Sequence, residues 1–386
     1  MKKNTGKQTF LRVSLSIAVI VAVFIGTILL IPNQKLQFGN SFFRYIGKAF
    51  GRSPTVGGSF LFDANLDNMF SEIDGMLLIT SKVGYQLFDR DGEEIAAVAQ
   101  IYSSPAVSNG NKTALIWDIG GEDYTIISST GDGYPFTASG VLISAAMNES
   151  GFYTIAMTED RYKGSVTVYN NEMKPVYKWN SGEGYIVDCD IATSGSQISV
   201  VTLTGPGGTS PTGTGAGSRI VSFNLDSEQE KGSYVSEDNV IFDLEYISEN
   251  TVCALSQSHL TFLDRNMAHK ADYNFPGEYL KNYNLDGDGF AVLLLGKYRT
   301  GGAARLVAVD EAGNETGSLE ISGEVLSISV KGKYIAVVCP EQTIIYHSDL
   351  SEYGMLDRME GVRRALMNKD GTAYIITGNR ASIFNP

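Results

Sequence analysis

Three histidines, three cysteines and a scatter of carboxylates are the side chains from which any chemistry would have to be built. His259, His269 and His347 stand far apart, with no HxxxH spacing. No serine sits in a nucleophile elbow, so neither a zinc site nor a Ser-His-Asp constellation is readable from spacing. No catalytic residue, metal ligand or cofactor is therefore assigned. Asn284-Leu285-Asp286-Gly287-Asp288-Gly289 copies the first half of a calcium loop. The twelfth position, where a bidentate Glu is needed, is Leu295 inside an apolar run, so the string reads as a turn. Cys189, Cys253 and Cys339 are odd in number and scattered among apolar residues. They read as buried thiols acting as small hydrophobes.

A more regular pattern precedes the polar turns. Seven residues before the turn marker stand Ser144, Asp188, Asp243, Asn282 and Arg364. Two residues further on come Asp190, Glu245 and Asn284. If these share one structural position, Asp188, Asp190, Asp243 and Glu245 form an acidic sector, with Arg364 elsewhere on the same ring. Such a cluster suits a cation or an amine-bearing ligand. The plainer alternative is that these side chains pair with neighbouring backbone or line a water-filled channel.

The elements that would position them recur along the chain. Turns at Asp74-Gly75, Asn109-Gly110, Ser150-Gly151, Ser194-Gly195, Glu249-Asn250, Asp288-Gly289, Lys331-Gly332 and Asp370-Gly371 lie between 35 and 55 residues apart. Each runs into an apolar strand rich in β-branched and aromatic residues, as in 290–295 and 372–377. A near-continuous apolar run suits a strand buried on both faces. A second, alternating strand follows and ends in Asp or Asn, as at Asp89, Asn170, Asp264 and Asp310. Such a residue opens a turn by bonding its own backbone downstream. Strand repeats at this period predict an all-β, eight-bladed β-propeller over residues 58–386, with seven blades as the alternative. The chain stops after the third strand of the eighth blade. The apolar segment 59–63 is expected to supply the fourth, closing the ring by pairing the two ends. The Gly/Thr/Pro/Ser run at 204–218 lacks the residues for a core and reads as an insertion.

Charge divides the chain. Residues 1–53 carry eight basic and no acidic side chains, leaving 22 basic and 43 acidic residues in the remainder. An acidic domain repels phosphates, which argues against a nucleic-acid partner. Residues 11–31 are apolar and uncharged from Val13 onward, long enough to cross a bilayer as one transmembrane helix. No small-x-small cleavage site follows, so an uncleaved anchor is expected. The basic residues of the 1–10 tail favour a cytoplasmic amino terminus and a propeller outside the cytoplasm. Within 32–57, the segment 38–52 spaces Phe38, Phe42, Ile46 and Phe50 on one helical face and Arg44, Lys48 and Arg52 on another. That is the pattern of an interfacial helix meeting membrane lipid, followed by a linker at 53–58.

The strand units ending in Asp or Asn and the glycine turns resemble the quinoprotein-like and WD40-like propeller superfamily. With the anchor, the chain looks like the single-pass, membrane-anchored propeller proteins of unknown function of Gram-positive bacteria. The tryptophan docking motifs of quinoprotein dehydrogenases are absent, since Trp117 and Trp179 occupy non-equivalent places. The resemblance thus carries over no cofactor and no catalytic residue. The expectation is a non-catalytic, membrane-tethered binding or scaffold module for an envelope protein or glycan. The alternatives are a propeller hydrolase or dehydrogenase, or a ligand sensor, with its site at the central channel.

Overall fold

The computed structural model describes residues 54–65, 67–204, 217–237, 239–357 and 359–386. The expected membrane span, the basic amphipathic segment and most of the Gly/Thr-rich insertion fall outside these residues. Every regular element among the described residues is a β-strand, and the thirty-two strands form eight four-stranded antiparallel sheets. Seven blades use consecutive strands A to D: 69–99, 105–137, 142–181, 185–236, 241–274, 279–321 and 327–357. The eighth takes strands A to C from 364–385 and strand D from the other end of the chain, Thr55–Leu61. That strand lies antiparallel on Arg380–Asn385, with Thr55 opposite Asn385 and Leu61 opposite Arg380. The ring therefore has eight blades and closes as the sequence leads one to expect.

The closing strand runs over Thr55–Leu61 rather than the expected 59–63, so 55–58 is strand rather than linker. Its register shifts between Val56 and Ser59, where Gly57 and Gly58 sit. Glycine is tolerated in an edge strand at such an irregularity. Beyond it, the Phe60 ring lies 5.0 Å from Phe88 of blade 1, and Phe62 is buried beside Phe70. Tyr374 donates its hydroxyl proton to the Gly75 carbonyl at 2.7 Å, and Arg90 pairs with Asp370 at 2.8 Å across the same junction.

Strand B of each blade is sandwiched between neighbours, which explains its apolar run. Phe290–Gly296 is buried throughout. Its Leu293 and Leu295 meet Cys253, Leu255 and Phe262 of blade 5. Full burial of one such side chain stabilises the fold by about 1.5–3 kcal/mol. Of the three thiols, Cys189 and Cys253 are buried and Cys339 is half-buried, and all are free.

The turns follow from residue chemistry. Asp74 and Gly75 have φ of 52° and 79°, the double left-handed geometry that joins hairpin strands of right-handed twist. At the C–D turns, Asp89, Asn170, Asp264 and Asp310 each accept N–H groups two and four residues downstream through one side-chain oxygen. The residue three beyond is left-handed in each case: Gly92, Met173, Met267 and Gly313.

Because the sheets are meanders, A–B and C–D turns share one face of the ring and B–C and D–A loops the other. We call these the turn face and the loop face.

Candidate binding site at the central channel

Strand A of each blade is innermost, and successive A strands contact one another around the whole ring, blade 8 meeting blade 1. They enclose two connected cavities of about 860 and 450 Å³ that share Val107, Asn109, Asp286 and Lys331 as lining. The larger is lined by Ser144, Asp188, Asp190, Asp243 and Glu245. The smaller is lined by Asn282, Asn284 and Arg364. The four carboxylates expected to form an acidic sector thus come together. Arg364 does not join them and lies near Phe70, its guanidinium carbon 5.8 Å from the ring centroid.

The acidic residues stitch the blades. Asp188 accepts the Ser144 hydroxyl at 2.6 Å from blade 3 and the Leu244 N–H at 2.9 Å from blade 5. Asp190 accepts the Tyr246 N–H at 2.6 Å. Serines hold the equivalent place elsewhere. Ser108 accepts the Met147 N–H at 2.9 Å, and Ser329 accepts the Met367 N–H at 3.0 Å. Ser327 accepts the Ala365 N–H at 3.4 Å. The spacing pattern missed these serines because the A–B turns of blades 2 and 7 are shorter. Lys331 already pairs with Tyr334 in blade 7, so Ser327 stands only five residues before its glycine. The alternation Ser327-Ile328-Ser329 is the signal that marks the inward face.

Crowding raises the proton affinity of the cluster. Asp188 and Asp190 are pushed up to about 7, first by burial and then by neighbouring carboxylates, Asp243 above all. Asp243 is raised by burial and by Asp286, although hydrogen bonds from Tyr283 and Leu244 oppose the shift. Glu245 is raised well above the usual range by burial and by Asp190. Asp188, Asp243 and Glu245 remain half-buried, in reach of channel water. Burial and mutual repulsion thus favour the protonated forms within the cluster. Among the described residues, no group of three or more His, Cys, Asp or Glu is arranged to hold a metal ion.

The histidines are engaged away from the channel. His259 Nδ1 lies 2.9 Å from Ser256 Oγ, but that hydroxyl also bonds backbone of its own B–C turn. His269 pairs with Asp272 at 2.9 Å, and His347 packs on Tyr334 and Tyr353. The calcium-like string folds as the irregular end of strand A, 284–287, and the Asp288-Gly289 turn of blade 6, with Asn284 accepting the Asp286 N–H.

The two faces differ. Tyr185, Phe242, Tyr279 and Tyr298 project from the loop face of blades 4 to 6, and Ile101 and Ile119 from that of blades 1 and 2. On the turn side, exposed large apolar side chains among the described residues are fewer, with Tyr134, Val176 and Tyr353 each second in a D strand.

Solved structures similar to this chain include the C-terminal WD40 domain of Sif2, with 13% identity and a TM-score of 0.55 over 86% of this chain and 95% of that one. BamB from Moraxella catarrhalis follows at 10% and 0.52, over 86% and 100%. Quinohemoprotein alcohol dehydrogenase ADHIIG from Pseudomonas putida HK5 matches at 10% and 0.53, over 86% and 75%. At these identities the likeness is one of fold alone, that of a β-propeller. None of the curated proteins matches the sequence. Residues 57–381, which span almost the whole ring, match DUF5711, a family of unknown function, and the chain belongs to that family.

Proposed function

We propose that the propeller is a non-catalytic binding module, tethered to the membrane by residues 11–31, that docks a cell-envelope protein or glycan on its loop face. The observation that carries this reading is the concentration of exposed apolar and aromatic side chains on the loop face. Exposed apolar patches rimmed by polar groups mark interaction surfaces, and tyrosine and phenylalanine are the residue types such surfaces favour. On the turn side, exposed apolar side chains are fewer and sit one to a blade, as Tyr134, Val176 and Tyr353 at the starts of D strands.

In-cell crosslinking and recovery of the full-length protein tests the reading, with residues 1–53 alone as control. Wild type should capture a near-stoichiometric envelope component that the control lacks. A variant carrying Tyr185→Lys and Phe242→Lys should lose it while keeping its melting temperature, because both side chains are exposed. Equal capture by that variant would overturn the assignment of the face.

A second reading rests on the channel, where Asp188, Asp190, Asp243 and Glu245 would take a cation or an amine-bearing ligand. It ranks below the first because Asp188 and Asp190 are already engaged in joining blades 3, 4 and 5. Replacing Asp188 and Asp243 by Asn should weaken amine binding and leave the fold intact, and unchanged affinity in a titration would sink it.

A further inference from the structure

A second concave site lies under blade 4 on the turn face. Turns of blades 3, 4 and 5 enclose a cleft of about 870 Å³, within the range of small-molecule sites. Phe152, Val176 and Leu225 give it an apolar wall. Its polar end holds Lys231 and Arg265. Both cations converge on one neutral oxygen. Lys231 Nζ donates to Gln197 Oε1 at 2.8 Å, and Arg265 Nε donates to the same atom at 3.2 Å. Gln197 is fully buried. Its amide nitrogen is fixed by Ser222 Oγ at 3.0 Å and the Arg265 carbonyl at 2.6 Å. The carbonyl oxygen therefore has no freedom to turn away.

The two cations are not equally neutralised. Arg265 pairs with Glu249 at 3.1 Å. Lys231 has no ion pair of this kind among the described residues, and burial together with Arg265 holds its pKa below the usual lysine value. Asp264 also lines the cleft, but one of its oxygens caps its own turn through the N–H groups of Asn266 and Ala268. Asp226 is at the exposed rim. Lys231 thus presents a half-buried ammonium, three donors strong, with one neutral acceptor. Asp264 and Glu249 act on it only through space, without an ion pair, so the partly desolvated ammonium keeps donors that an arriving anion can take.

We propose that this cleft binds a small organic anion, its carboxylate or phosphate on Lys231 and Arg265 and its apolar body on Phe152, Val176 and Leu225. The site is separate from both the channel and the loop face, so it stands or falls independently of the docking function.

Calorimetric titration of the full-length protein with phenyl phosphate, benzoate, inorganic phosphate and benzyl alcohol tests it. At least one of the two aromatic anions should bind saturably at millimolar concentration, and benzyl alcohol should not. Competition by inorganic phosphate identifies a phosphate site, and its failure to compete identifies a carboxylate site. Lys231→Gln should weaken binding at least tenfold, whereas Lys112→Gln, on blade 2, should leave it unchanged. Val176→Asp places a repelling carboxylate at an exposed position of the same wall and should weaken binding without disturbing the core. No saturable binding by either aromatic anion overturns the proposal, as does affinity unaltered by Lys231→Gln or, should that variant fail to fold, by Val176→Asp.

Discussion

Asp188 and Asp243 face each other across the junction of blades 4 and 5, and their raised proton affinity makes the fold sensitive to pH. An unfolded aspartate titrates near 3.9, whereas Asp188 in the folded ring is pushed up to about 7. Between those values the unfolded chain gives up the proton that the folded chain keeps. Stability from this group is therefore fully present below about pH 4 and is lost as pH rises through about 7. Replacing Asp188 and Asp243 by Asn removes that titration. Channel water screens half-buried groups, so only a fraction of the shift appears as stability. We expect the melting curves of wild type and double variant to diverge by about 2 °C between pH 5 and pH 8, with wild type falling faster. Parallel curves would show that the cluster does not titrate in this window. The spacing of Asp188 before Gly195 and of Asp243 before Asn250 was enough to group them, because the A–B turns of blades 4 and 5 allow the same count. It was not enough for Ser327 and Ser329, where a tighter turn shifts the count. Nor did it reveal the cleft under blade 4. Gln197, Lys231 and Arg265 belong to three separate strands or turns, and only the stacking of blades brings them together.

At the scale of elements, the apolar B strands and the Asp or Asn ending six of the eight C strands made the blades legible one by one. The exception was the start of the closing strand, where Gly57 and Gly58 read as a linker and instead form an irregular stretch of sheet. That strand carries weight out of proportion to its length. Without it, Arg380–Asn385 presents an unpaired edge, and Phe88 loses the Phe60 ring beside it. An exposed edge strand is a template for association between chains. A chain beginning at Ser53 should melt as the parent propeller does. One beginning at Asp63 should melt several degrees lower and aggregate in light-scattering measurements. Equal melting temperatures for the two would mean that three strands suffice for blade 8.

The whole molecule is divided by charge as well as by structure. The basic, apolar first 53 residues contrast with a propeller carrying 43 acidic side chains. If residues 11–31 anchor the chain as proposed, the full-length protein should stay with membranes through an alkaline carbonate wash, whereas residues 54–386 alone should be released. Protease added to cells stripped of their wall should digest the propeller. A protected propeller would reverse the proposed orientation, and carbonate release of the full chain would remove the anchor.

The pairing of Thr55–Leu61 with Arg380–Asn385 also sets an order of events in time. A ribosome makes the closing strand first and its partner more than 300 residues later. Throughout synthesis the growing ring is an open arc with a vacant last place, and the segment meant to fill it must wait, unpaired. The entropy of bringing such distant segments together grows only slowly with their separation, so the final step is limited more by the delay than by the distance. Every earlier blade can form from strands already adjacent in sequence. Completion of blade 8 is thus a checkpoint on the whole chain: a product interrupted anywhere before Arg380 keeps its first strand unpaired and open to chaperones and proteases.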